Sequence, residues 1–419
     1  MLELLSESTE NENTLASLSL DELARFGAQR LLKEALELEV AEYIDRFKEQ
    51  RDKDGRRQVV RNGKAKERKI TTGAGTIGVK APRVNDKRPG QKFSSAILPP
   101  YLSKSKNVMS ILPILYLKGL SGNAFQDALC GLLGDDVGGL SSSSISALKK
   151  SWKNEMDVWR KRKIEDDFVF IWADGVNVKI RLGEDKRLCL LVLIGVNQSG
   201  EKKVLAVEGG YRESKESWKL VFNDLIRRGL KPPAMIIGDG ALGLWSAIHE
   251  IPEFKDTREQ ACWVHKIANI LNHLPKRLQP AAKRKLHDMM NAASTKDAEN
   301  ERVSFHEDFY DKHPKAVQSL EKNWDKLISF FSMPAPHWKY IRTTNPIESS
   351  FATVKLRTRT TKGAGNKEIA ETMAFKLLLE AEKRWRKLQG FRLIPGILQG
   401  DVYKDGILVN IEDLRGRSA

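Results

Sequence analysis

The chain has 419 residues, of which 41% are hydrophobic, with a formal net charge of +16 and a pI near 9.5. That length and hydrophobic content exclude a largely disordered chain and allow two or three domains with at least one sizeable core. A positive surplus of this size favours a polyanionic partner, with nucleic acid the first candidate and an anionic membrane surface the second.

No stretch approaches the ~20 consecutive apolar residues of a membrane span. The opening MLELLSESTENENTLASLSL is acidic and polar, without the charged and apolar segments of a secretion signal. Cys130, Cys189 and Cys262 are far apart and offer no disulfide framework. The expectation is a cytoplasmic protein with no membrane partner.

The first predicted element is a helix with an apolar stripe of Leu20, Leu23, Phe26, Leu31, Leu32, Ala35, Leu36 and Val40, broken near Arg51. From Lys48 to Asn107 there are 17 Lys or Arg against 5 Asp or Glu, a local charge of +12. Inside that stretch ERKITTGAGTIGVKAPRV alternates β-branched residues with glycine turns, which predicts a small hairpin carrying basic side chains. Residues 1–107 are therefore read as a helical and basic DNA-binding region, with Arg61, Lys64, Lys66, Arg68, Lys69, Lys80 and Arg83 as candidate phosphate contacts. Residues 108–160 read as short helices separated by Gly and Ser turns. That pattern fits a helix-turn-helix module and a plain helical connector alike.

Residues 161–265 have the most regular pattern. DFVFIWADGVNVKIR, LCLLVLIGV and KKVLAVEGG predict three successive antiparallel strands. SKESWKLVFNDLIRRGL then reads as a serine-capped helix with Trp218, Val221, Phe222 and Leu225 on its apolar face. A short buried strand ending at Asp239, a second helix and a strand running into QACWVH complete the order strand, strand, strand, helix, strand, helix, strand. Residues 266–340 are helical and polar without a strand signal, so the α/β core is interrupted by an all-helical insertion. Residues 341–395 return to the core, and 396–419 form a tail.

IRTTNPIESSFATVKLRTRT, residues 341–360, is written as a helix start. Asn345 suits the cap, Pro346 the first helical position, and Glu348 falls three residues after the cap. Glu348 also leads a face on which Lys355 and Arg359 recur at helical spacing, two further candidate DNA contacts. Asp174 stands inside a strand between Trp172, Ala173 and Gly175, where an unpaired carboxylate is costly. Asp239 ends the fourth strand among glycines. A sheet of this order makes the first and fourth strands neighbours, so the two carboxylates can converge, with Glu348 brought alongside by its helix. Three oxygen ligands suit Mg²⁺ or Mn²⁺, and two such ions can activate an attacking oxygen and stabilise a leaving one at phosphorus.

WADGVNVKI, IIGDGALGLWSAI, CWVHKIANILNHLPK and TTNPIESSFATVKLRTRTTKGAG, with the upstream VRNGKAKERKI and PRVNDK, resemble the bacterial insertion-sequence transposases of the Mutator-like superfamily. The resemblance covers nearly the whole chain in order. It implies a ribonuclease-H-like core, an Asp-Asp-Glu metal triad of Asp174, Asp239 and Glu348, and a Cys-x-x-His signature at Cys262 and His265. No second pair completes a zinc site around that signature. Cys262 is read as a packing cysteine and His265 as directed at the active site or the DNA backbone, a reading extended to Arg342.

The functional expectation is a transposase that binds the terminal inverted repeats of a mobile element and cuts and joins DNA with two Mg²⁺ or Mn²⁺ ions. It would act as a homodimer, because two element ends must be handled together, and associate with the bacterial nucleoid when bound to DNA. Two other classes fit parts of the pattern. One is a catalytically silent DNA-binding regulator on the same fold, and the other a ribonuclease-H-like nuclease or resolvase.

Overall fold

A computed structural model of the chain describes residues 18–105, 142–182, 187–210, 213–240 and 242–409, together with isolated positions between Asn107 and Gly131. The chain divides into two compact units, Met1–Ser146 and Ala147–Ala419.

In the first unit, helix α1 (Leu20–Arg46) starts at a reciprocal cap: the Ser19 hydroxyl accepts from the Glu22 N–H, and the Glu22 carboxylate accepts from the Ser19 N–H. The expected hairpin is present as β2 (Arg68–Thr72) and β3 (Gly75–Val79), and a second antiparallel pair, β1 (Val59–Lys64) with β4 (Pro82–Asp86), brackets it. Leu36 of α1 is buried with Ile70, Ile77, Val79 and Leu98 in one small core. Among the described residues, only the second half of the expected apolar stripe is covered. Leu36 and Val40 are buried, whereas Leu20, Leu23, Phe26 and Leu31 are exposed, because two short strand pairs are too small to cover a helix of 27 residues.

Most of the predicted helical connector, residues 109–141, lies outside the described residues apart from isolated helical positions. Its closing helix is seen as α2 (Ser142–Arg160).

The second unit has the predicted order: β5 (Phe168–Lys179), β6 (Arg187–Asn197), β7 (Lys202–Gly210), α3 (Lys215–Arg227), β8 (Met235–Gly238), α4 (Leu242–His249) and β9 (Arg258–Ala261). These strands form one mixed sheet in the order β7-β6-β5-β8-β9. The pairs β5/β6 and β6/β7 are antiparallel, while β5/β8 and β8/β9 are parallel. A central strand covered on both faces must be apolar throughout, and Phe168 to Asp174 of β5 are all buried. One face packs Ile171 and Ala173 against Trp218, Val221, Phe222 and Leu225 of α3 and against α4.

The helical insertion follows as α5 (Trp263–Leu271), α6 (Gln279–Asn291), α7 (Thr295–Phe309), α8 (Pro314–Glu321), α9 (Trp324–Ile328) and α10 (Trp338–Ile341). Helix α11 (Asn345–Thr360) then packs on β5, and α12 (Lys367–Glu382) packs on β7 and α11. The described part of the expected tail, up to Val409, is folded. It forms α13 (Ile394–Leu398) and a hairpin of β10 (Tyr403–Lys404) with β11 (Ile407–Leu408), whose turn residue Asp405 accepts from the Thr295 N–H and hydroxyl at the start of α7.

Candidate active site

The parallel pairing of β5 with β8 sets Phe170 against Met235, Ile171 against Ile236 and Trp172 against Ile237. Two residues beyond the Trp172–Ile237 pair stand Asp174, still within β5, and Asp239, the first residue after β8, and the Asp239 charge acts on Asp174. Asp174 is only 8% exposed. Its Oδ1 accepts from the Gly175 N–H at 2.8 Å. Burial first, then the neighbouring Asp239 charge, pushes its carboxyl up to about 7.

A third carboxylate stands beside this pair, and the sequence pattern did not reveal it. Glu213 lies just before the Ser214 cap of α3, half-buried, and its Oε1 accepts a long bond from the Cys189 thiol at 3.7 Å. Burial and the Asp239 charge raise the Glu213 carboxyl, and burial together with Glu213 pushes the Cys189 thiol up to about 12. Two glycines make room for this residue. A Cβ at Gly175 would overlap the Glu213 carboxylate, and a Cβ at Gly243 would overlap its backbone carbonyl.

The helix that carries Glu348, α11, is tied to β5 at both ends. Ahead of the helix, the Trp172 indole N–H is shared between the carbonyls of Tyr340 and Thr343 at 3.2 Å each. Beyond it, the Ala364 N–H donates to the Lys179 carbonyl at 2.8 Å, and the Arg181 N–H returns a bond to the Ala364 carbonyl at 2.9 Å. Gly363, at φ +108°, permits that return, since a Cβ there would stand 2.7 Å from the Lys179 carbonyl oxygen. Ile347, Phe351 and Val354 fill the buried face of α11, while Lys355 and Arg359 are exposed.

The helix cap is Thr344 and not Asn345, which is already helical. Thr344 accepts the Glu348 N–H on its carbonyl at 3.0 Å and donates its hydroxyl to Glu348 Oε1 at 2.6 Å. It holds the cap position because its polar groups are engaged on both sides. The Thr344 N–H bonds Cys262 Sγ at 3.2 Å, and its Oγ1 lies 3.4 Å from His265 Nδ1.

Cys262 caps α5 and is fully buried, and His265 is on the first turn of that helix. Burial would raise the Cys262 thiol, but hydrogen bonds with His265 and Thr344 outweigh it and leave the thiol below its ordinary range. The bond with Cys262, aided against burial by the charges of Cys262, Glu348 and Asp174, lifts His265 to about 9. His265 is thus coupled electrostatically to both Glu348 and Asp174. Among the described residues, Cys262, His265 and Glu348 are the only group of three such side chains whose ligand atoms all lie within 4.8 Å of one another.

Arg342 is directed elsewhere: its Nη1 donates to the Met290 carbonyl at the end of α6 at 2.8 Å. In the first unit, Arg61 and Lys64 share Glu37, at 2.6 and 3.6 Å. Arg68 Nη2 donates to the Pro99 and Leu102 carbonyls. Lys66, Lys69, Lys80 and Arg83 are exposed.

The mixed α/β sheet has Asp174 within its central strand and Asp239 just past the end of the parallel neighbour β8, while α11, packed on β5, carries Glu348 to Thr344 and His265. The chain belongs to the Mutator family of transposases, whose family model matches residues 2–388. It is 44% identical over 300 residues to the transposase of insertion sequence element IS6120 from Mycolicibacterium smegmatis, covering 71% of this chain and 92% of that protein. It is 42% identical over 287 residues to the transposase of element IST2 from Acidithiobacillus ferrooxidans, covering 68% and 96%. At 24% identity over 371 residues, covering 87% and 91%, it is also similar to the transposase of element IS256 in transposon Tn4001 from Staphylococcus aureus.

Proposed function

We propose that this chain is a DNA transposase with a ribonuclease-H-like core, in which Asp174, Asp239 and Glu348 form the catalytic triad for metal-dependent cleavage and strand transfer at the terminal inverted repeats of its element. The observation that carries the reading is the buried Asp174, pushed up to about 7 by burial and then by the charge of Asp239, which follows the strand paired with β5. An accumulation of buried negative charge is stable only if a proton or a cation offsets it. The donor set is all oxygen, which fits Mg²⁺ or Mn²⁺ over softer ions. Asp174, Asp239 and Glu348 would hold two such ions, with Glu213 close enough to contribute. When bound, the ions would supply an activated oxygen nucleophile and a counter-charge for the leaving oxygen.

The chain's own residues do the rest. The two ties between β5 and the ends of α11 hold the helix that carries Glu348 against the strand that carries Asp174. Lys355 and Arg359 extend from Glu348 along exposed positions of the same helix and would bind the phosphates flanking the reacting bond. The basic first unit would bind the element ends, and two copies of the chain would hold two ends together.

The test is strand transfer of a labelled terminal repeat in Mg²⁺, run beside a gel shift and a melting curve for Glu348→Gln, Asp174→Asn and Asp239→Asn. Each variant should bind the repeat and lose cleavage by several orders of magnitude, each factor of ten corresponding to about 1.4 kcal/mol of barrier. Double variants should be no worse than single ones, because the carboxylates act as a unit. Folded Glu348→Gln protein that cleaves at the wild-type rate would reduce Glu348 to a helix-start residue.

A further inference from the structure

The Cys-x-x-His pair adds no carboxylate to the site, yet its side chains converge on Thr344. We propose that Cys262, His265 and Thr344 form a hydrogen-bonded latch that fixes the orientation of the Glu348 carboxylate, with Thr344 as its positioning residue. The inference rests on the reading of Glu348 as a metal ligand.

The donors and acceptors run in one direction. Thr344 has a single hydroxyl proton, and the bond to Glu348 Oε1 at 2.6 Å is shorter than the approach to Cys262 Sγ at 3.2 Å. The proton therefore goes to the carboxylate. The hydroxyl oxygen is then free to accept from His265 Nδ1–H at 3.4 Å. Cys262 Sγ accepts the Thr344 N–H. Thr344 and Cys262 are fully buried, so the Thr344 N–H and its bond to Sγ are shielded from water.

The spacing of the motif follows from this arrangement. Cys262 is the cap of α5 and His265 is three residues on, so both face the same side of the first turn. The adjacent Trp263 N–H bonds the Arg342 carbonyl at 3.0 Å, fixing that turn against the segment that leads into α11. One carboxylate oxygen of Glu348 is thus held by the latch, and the other remains for a cation.

Cys262, His265 and Glu348 together resemble part of a zinc site, and the position of Thr344 argues against that use. Its hydroxyl oxygen lies within 3.4 Å of all three ligand atoms. An ion bound at ordinary zinc distances of about 2.0–2.3 Å would have to expel it.

The experiment compares Thr344→Val, Thr344→Ser, His265→Leu and Glu348→Gln in the full chain. It reads three quantities: melting temperature, Mn²⁺ affinity from the paramagnetic resonance of the free ion, and cleavage as a function of Mn²⁺ concentration. Valine keeps the shape of threonine and removes the hydroxyl, so Thr344→Val should fold, bind Mn²⁺ more weakly and lose about tenfold or more in cleavage. Thr344→Ser should restore both to within about threefold of wild type. His265→Leu, at a side chain 39% exposed and hence tolerant of change, should shift affinity and cleavage in the same direction as Thr344→Val.

Wild-type Mn²⁺ affinity and cleavage in Thr344→Val, with Glu348→Gln inactive, would overturn the latch and leave the carboxylate reading intact. Equal loss in the serine and valine variants would overturn it too, as would stoichiometric zinc in the purified protein that disappears in Cys262→Ser. Glu348→Gln cleaving like wild type would remove the carboxylate reading and the latch with it.

Discussion

Replacing Asp174 with asparagine should stabilise the metal-free protein at neutral and alkaline pH while abolishing its chemistry. The carboxyl of Asp174 is raised from 3.8 to about 7, with burial the first cause and the Asp239 charge the second. Between those two pH values the folded state binds more protons than the unfolded one, so stability falls as pH rises. The contribution is fully present below about pH 4 and is lost as pH passes through about 7. A rise of that size corresponds to on the order of 4 kcal/mol. Asparagine keeps the acceptor for the Gly175 N–H but introduces an NH₂ group whose desolvation costs about 1–3 kcal/mol if it finds no partner. The net gain above pH 7 is then about 1–3 kcal/mol, or roughly 2–4 °C of melting temperature per kcal/mol in a domain of this size class. The assay is a set of melting curves in chelator from pH 5 to pH 8.5. Wild type should lose stability across that range and Asp174→Asn should lose less. Adding Mn²⁺ should raise the wild-type melting temperature more than that of the variant, since only a ligand that binds the folded state stabilises it. Two parallel pH profiles would refute the burial argument for Asp174.

Glu213→Gln should flatten the same pH dependence in the same sense, because burial and Asp239 raise its carboxyl as well. It should also weaken Mn²⁺ binding, by about tenfold if Glu213 contributes to holding the ions, and unchanged affinity would confine it to a packing role. For DNA, the exposed Lys66, Lys80 and Arg83 are better probes than Arg61, Lys64 or Arg68, which already have protein partners. Replacing those three together should reduce the slope of log affinity against log salt by roughly 0.9 for each phosphate no longer neutralised, measured by fluorescence anisotropy on terminal-repeat duplex. A slope equal to wild type would move the DNA surface away from this hairpin region.

The order of strands and helices in the second unit was legible in the sequence because β5, β6 and β8 are buried on both faces and so read as apolar runs, while α3 announces itself by its cap and apolar stripe. Asp174 stood out for the same reason, as a carboxylate inside a run that physics reserves for apolar residues. The neighbourhood of Asp174 and Asp239 followed from strand order alone. Glu213 did not, because its membership depends on space vacated by Gly175 and Gly243, and space between distant segments leaves no local pattern. Thr344 was hidden behind a plausible cap at Asn345. Helix-start propensity is local, whereas the bonds that make Thr344 the cap come from Cys262 and His265, about eighty residues earlier in the chain. Much the same holds for the charge. The sequence determined that the first unit is basic, and only the tertiary structure decided which of those cations pair with Glu37 or with backbone carbonyls.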